Sequence, residues 1–119
     1  MKLGLAAGVL LLFLLSGCSI KDWGNRPAGH MNIASREEAI RACKELCRSW
    51  LDNGADLSNG PCLSMDNPDW NVPGWVCDVA HSPRREIDNL KENQCPEYGI
   101  TVSRFVELSP YCTLINVQG

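Results

Sequence analysis

Apolar residues recur with a helical period over Ser35–Gly54. Ala39, Ile40, Cys43, Leu46, Cys47, Trp50 and Leu51 fall at i, i+3, i+4 and i+7 spacing, which predicts one apolar face. Ser35 followed by Glu38 is a capping box, and Glu37 and Glu38 suit the positive end of the helix dipole. Asn53-Gly54 supplies a left-handed stop. Downstream the period changes to two. Trp75–Ala80 reads as a first strand, with Trp75, Cys77 and Val79 facing one way and Val76, Asp78 and Ala80 the other. Ile100–Leu108 and Cys112–Val117 read as a second and a third strand, joined tightly enough across Ser109-Pro110-Tyr111 to form an antiparallel hairpin. Turn clusters at Ser58-Asn59-Gly60-Pro61, Asn67-Pro68-Asp69 and Asn71-Val72-Pro73-Gly74 separate helix from sheet. Arg84–Asn93 is polar, with room for a helical turn around Ile87 and Leu90. The expected class is α+β: one long N-terminal helix packed on a small, mostly antiparallel sheet of about three strands.

The first residues have a different pattern. Lys2 precedes an unbroken apolar run, Leu3–Leu15. That run is too short for a bilayer-spanning helix, which needs about 20 residues. It ends in Leu15-Ser16-Gly17-Cys18, with small residues before a cysteine. The segment resembles the leader and lipobox of prokaryotic lipoproteins. The resemblance implies cleavage between Gly17 and Cys18 and lipidation, such as palmitate, on Cys18. Residues 1–17 are then a signal peptide, 18–34 a flexible tether and 35–119 the folded domain. Within the tether, Gly24, Pro27 and Gly29 break any period, Trp23 suits a membrane interface, and His30 is a lone imidazole with no ligand partner in the pattern. The protein is expected in the cell envelope, held to the membrane through the lipid on Cys18 and facing outside the cytoplasm.

Cysteine arithmetic supports that compartment. The chain has 119 residues and seven cysteines. With Cys18 spent on lipid, Cys43, Cys47, Cys62, Cys77, Cys95 and Cys112 remain, an even set that reads as a disulfide framework. A domain this small buries a limited core, and each bridge contributes about 2–4 kcal/mol. Sequence leaves about 15 pairings open. The expected set is Cys43–Cys77 tying helix to sheet, Cys47–Cys62 tying a loop to the helix, and Cys95–Cys112 tying a loop to the hairpin. Lys+Arg 11 against Asp+Glu 14 gives a net charge of −3, which argues against a nucleic-acid partner.

CKELC, DLSNGPCLS, WVCDVAHSPRREIDNLKENQC and RFVEL together resemble a group of small exported cysteine-rich archaeal proteins of unknown function, some with pilin-like leaders. The resemblance covers about Ala42 to Leu108. It implies a helix-then-sheet domain like the globular part of a pilin-like subunit, and it implies no activity. The lipobox in place of a pilin leader argues against filament assembly.

Several residue sets carry candidate chemistry. Cys43-x3-Cys47 and Cys77-x3-His81 together form a potential Cys3His metal set. The oxidising compartment favours disulfides over that set. Cys43-x3-Cys47 lacks the C-x-x-C spacing of a thiol oxidoreductase and sits mid-helix rather than at a helix N-terminus. Asp78, His81 and Ser82 hold hydrolytic residue types, but members of a triad converge from separate segments. Trp70 and Trp75 flank a Pro-Gly turn, with Arg84 and Arg85 in the next loop; indole faces beside polar groups suit a protein or glycan partner. The expectation is a non-enzymatic display or binding domain with no cofactor and no catalytic residue. A metal, redox or hydrolytic module on Cys43, Cys47, Cys77 and His81 is the alternative, and a pilin-like subunit a third.

Overall fold

A computed structural model describes residues 32–119. The leader, Cys18, Trp23 and His30 lie outside the described residues. The predicted helix is α1, Arg36–Asp52. Ser35 is its N-cap: the Ser35 hydroxyl accepts from the Glu38 amide at 3.2 Å and Glu38 accepts from the Ser35 amide at 3.0 Å. Asn53 closes the C-terminus, and Gly54 turns the chain away at φ +87°, a left-handed conformation that glycine adopts freely. Ala39, Cys43, Leu46 and Cys47 are buried, Ile40 and Trp50 are half-buried, and Leu51 is exposed.

The strands are β1 (Trp75–Val79), β2 (Arg104–Leu108) and β3 (Leu114–Gln118), in the order β1-β2-β3. The class is α+β, stapled by disulfides, but the sheet is mixed rather than mostly antiparallel. β2 and β3 form the expected antiparallel pair, with a bulge at Glu107/Leu108. β1 and β2 are parallel, in the register Trp75↔Arg104 to Val79↔Leu108. A parallel pair needs a crossover. Here it is residues 80–103, carrying two 3-10 turns, Glu86–Asn89 and Lys91–Asn93. β2 begins later than expected, because the chain turns at Gly99 (φ +87°) and leaves Ile100 83% exposed.

Alternation divides the sheet into two faces. Trp75, Cys77 and Val79 of β1 and Val106 and Leu108 of β2 point to the helix side. They pack with Ala39, Cys43, Leu46, Cys47, Leu57 and Leu63, and α1 lies against all three strands. Val76, Cys62 and Cys95 form a second, smaller cluster on the outer side, joined by Val102 and Phe105.

The three disulfides follow from this division. Cys43–Cys77 is present as expected, with Cα atoms 5.4 Å apart. The other two pairs differ from expectation: the bonds are Cys47–Cys112 and Cys62–Cys95, with Cα atoms 5.7 and 5.0 Å apart. Residues 61–64 run antiparallel along the free edge of β1, with Leu63 donating to the Cys77 carbonyl (2.8 Å) and Val79 donating to the Pro61 carbonyl (3.1 Å). That bridge sets Cys62 opposite Asp78, and opposed residues share a face. Cys62 is therefore on the outer side, with β1 between it and Cys47. Cys47 instead meets Cys112 at the entrance to β3. Ala34, expected within the tether, is docked. The Ala34 amide donates to the Pro73 carbonyl and its carbonyl accepts from Trp75 Nε1 at 2.8 Å. Among the described residues, no helix is long and apolar enough to cross a membrane.

Candidate functional site

The outer face holds a cavity of about 340 Å³. Its apolar wall is Val76, Phe105 and Tyr98, the two rings meeting edge to face with centroids 5.2 Å apart. Its polar side is Asp78, Glu107, Arg84 and Gln94, and Cys95 completes the lining. The register explains the cluster: Val76 lies beside Phe105 and Asp78 beside Glu107 on the same face of the parallel pair. Arg84 arrives from the crossover and binds Glu107 Oε2 through Nη1 at 3.0 Å and Asn89 Oδ1 through Nε at 2.8 Å.

Two adjacent carboxylates in a recess do not ionise alike. Burial, reinforced by the Glu107 charge, pushes the Asp78 carboxyl up from 3.8 to about 8; the Val79 backbone hydrogen bond and Arg84 pull the other way and lose. Asp78 is therefore mostly a neutral acid at neutral pH, able to donate as well as accept. Its Oδ1 lies 4.0 Å from Cys95 Sγ. A disulfide sulfur has no proton, so the polar contact runs from acid to sulfur. Ser64 also stands beside this bond. Its hydroxyl accepts from the Cys77 amide at 3.0 Å and is 3.6 Å from Cys62 Sγ and 3.8 Å from Cys95 Sγ. Because a disulfide sulfur has no proton, the Ser64 hydroxyl is the only donor this contact can have.

A second polar cluster sits at the end of β1. Asp88 is fully buried and accepts from the His81 and Arg85 amides, both at 2.9 Å, and contacts His81 Nδ1 at 2.9 Å. Burial alone would raise the Asp88 carboxyl, but the two amides and the His81 ring outweigh it and hold it below the usual carboxylate range. Gly60 (φ +68°) passes so close that a Cβ there would run into Asp88 Oδ1 and the Val79 carbonyl. The His81 ring borders a groove with Ser82, Arg85 and Tyr111.

The sequence-predicted sets are distributed differently from expectation. Cys43, Cys47 and Cys77 are all in disulfides, so no thiolate of that set stands beside His81 to ligate a metal. His81 takes its carboxylate from Asp88, while Asp78 points into the other cavity, so Asp78, His81 and Ser82 do not converge. Trp75 is core at 3% exposure, and Trp70 is half-buried with Nε1 donating to the Trp75 carbonyl at 2.9 Å. Neither indole is the free stacking face expected. Arg84 does line a cavity, whereas Arg85 is exposed and bonds Asp88 through its amide. Sequence reading missed Ser64, Asp88, Tyr98, Phe105 and Glu107. The available signal was Asp78 itself, an acid placed by alternation on a strand face otherwise shared with Val76 and Ala80.

Compared with protein-family models, curated proteins and solved structures, the chain matches none.

Proposed function

We propose that the chain is a lipid-anchored envelope protein whose domain binds a neutral, hydroxyl-rich group, a sugar unit of a surface polymer, in the Asp78 cavity. Cys18 carries the lipid, residues 19–31 space the domain from the membrane, and the domain faces outside the cytoplasm. The observation that supports binding is the cavity's make-up. Sugars have an apolar face and a polar rim, and the cavity offers two aromatic rings together with a neutral acid, a carboxylate, a guanidinium and an amide. The neutral Asp78 donates a hydrogen bond, while Glu107, balanced by Arg84, accepts one. The framework of three disulfides supports the oxidising compartment that the lipobox implies.

The test uses the full chain taken from the membrane of a host that processes such leaders. Intact mass reads a lipidated chain beginning at Cys18. Titration with oligosaccharides released from envelope polymers then reads binding. Phe105→Ala is expected to weaken it at least tenfold, about 1.4 kcal/mol. An unmodified Cys18 would sink the anchoring, and binding unaffected by Phe105→Ala would sink the assignment to this cavity.

A further inference from the structure

The three disulfides are not equivalent. Cys43, Cys47, Cys77 and Cys112 lie between helix and sheet at 0–2% exposure, closed off by the main core. Cys62 and Cys95 retain 7% and 8% exposure, and Cys95 lines the cavity. Among the described residues, only this outer bond has ionisable and hydroxyl groups on its sulfurs. The two Sγ atoms and a carboxylate oxygen of Asp78 all lie within 4.8 Å of one another, and Ser64 Oγ is within 3.8 Å of both sulfurs.

We propose that Cys62–Cys95 is an exchangeable disulfide, opened from the cavity by an external dithiol, with the Asp78 carboxyl as the acid that protonates the departing sulfur. The thiolate of the dithiol attacks Cys95 Sγ, the sulfur that lines the cavity. A mixed disulfide forms on Cys95, and the electron pair of the broken bond goes to Cys62 Sγ. That sulfur takes a proton from solvent while Ser64 Oγ–H, 3.6 Å away, steadies the charge. The second thiol of the reagent, as its thiolate, then attacks its own sulfur in the mixed disulfide, and the electron pair of that bond goes to Cys95 Sγ. Cys95 takes the proton of Asp78, whose Oδ1 is 4.0 Å away, and solvent reloads Asp78. The chain gains two electrons and two protons, and the dithiol leaves as a disulfide. Leaving-group protonation accelerates exchange because a thiolate departs poorly from a buried site.

The groups facing Asp78 are consistent with an acid. Burial first, then the charge of Glu107 on β2 and more weakly that of Asp88, keep the proton on Asp78. Arg84 opposes them but is paired to Glu107. On the 61–64 edge the neighbours are Cys62 and Ser64, which are uncharged. Once the proton is lost, the carboxylate repels the incoming thiolate as well. Nothing in this depends on sugar binding, and each of the two readings can fail alone.

The test is the order in which the bonds open. The full chain is pulsed with dithiothreitol under native conditions, trapped with an alkylating reagent and mapped by peptide mass. Cys62 and Cys95 are expected to be labelled at least tenfold faster than the other four. Simultaneous opening of all three bonds, or earlier opening of either helix-side bond, would overturn the proposal. The role of Asp78 is read from pH. Per thiolate, the native rate is expected to fall as pH rises through about 8. Asp78→Asn is expected to be about tenfold slower than the native chain at pH 6, with the gap closing at high pH. A native rate per thiolate independent of pH would remove Asp78 from the step even if the variant does not fold.

Discussion

Cys77 and Asp78 are neighbours in β1 and end in opposite surroundings. Cys77 points to the helix, is fully buried and is bonded to Cys43. Asp78 points outward into a cavity shared with Glu107, Arg84 and the edge of a disulfide. The helix side is apolar and closed, and every sulfur on it is inaccessible. The outer side has a short cluster of Val76, Cys62 and Cys95, a crossover without an α-helix to cover it, and most of the polar chemistry. The difference teaches where a small domain can place function. One face secures the fold, so the other can hold an acid that would be costly in a core.

The sharpest way to break this comparison is to remove one bridge from each face. Cys47–Cys112 spans 65 residues, and losing it through Cys47→Ala with Cys112→Ala is expected to cost about 4 kcal/mol, read from the urea midpoint. Cys62–Cys95 spans 33 residues, and loop entropy alone makes its removal only slightly cheaper. The outer sulfurs leave a smaller packing defect beside an existing cavity, so the second double variant should be clearly the more stable. Equal losses would mean that the faces share the stability evenly.

Two aspartates, Asp88 buried and Asp78 half-buried, give the next contrast, with opposite signs. Asp88 satisfies two amides and the His81 ring, so Asp88→Ala leaves donors buried without partners and is expected to cost about 3 kcal/mol at neutral pH. Its pKa is lowered in the fold, so this stability is present above the unfolded carboxylate value and is lost as pH falls through the folded one. The gap between native chain and variant should therefore narrow in acid.

Asp78 behaves the other way. Its folded pKa is raised, to about 8, so its contribution is intact below the unfolded value of 3.8 and is lost progressively as pH rises towards 8. Asp78→Asn mimics the neutral acid and is expected to stabilise the chain at pH 7. One pKa unit is worth about 1.4 kcal/mol, and solvent screening at this half-buried position moderates the total to about 2 kcal/mol. Thermal unfolding at pH 4 and pH 7 checks it: the gain should be present at the higher pH and absent at the lower. A variant less stable than the native chain at pH 7 would show Asp78 to be a structural acceptor.

These features were legible in the sequence to different degrees. The helix was readable because its signals are local: a 3.6 period, a capping box and an Asn-Gly stop all sit within Ser35–Gly54. The faces of β1 were readable because alternation is local too. The parallel pairing was not, because residues 80–103 cross over without an α-helical period to announce it. Two of the three bridges were misassigned for a related reason. Nothing near Cys62 shows that residues 61–64 bind the edge of β1, yet that contact decides which face the sulfur occupies. The cavity was hidden for the same cause: Phe105 and Glu107 reach it only through long-range register, and Tyr98 and Arg84 only through the path of the crossover.

The smallest predicted effect sharpens the comparison by testing whether the faces are independent. Ser35→Ala removes the hydroxyl that caps Glu38 and frees the first turn of α1. The expected cost is about 1 kcal/mol. That turn lies on the helix side, where Ala39 enters the main cluster, and Ala34 just before it holds the Trp75 indole. No part of it touches Asp78, Ser64 or Cys62–Cys95. The rate at which dithiothreitol opens Cys62–Cys95 should therefore be unchanged in Ser35→Ala, although the unfolding midpoint falls. A change in both together would mean that the outer bond opens only when the domain unfolds. The cavity would then be a passive hollow, and the division between a securing face and a working face would fail.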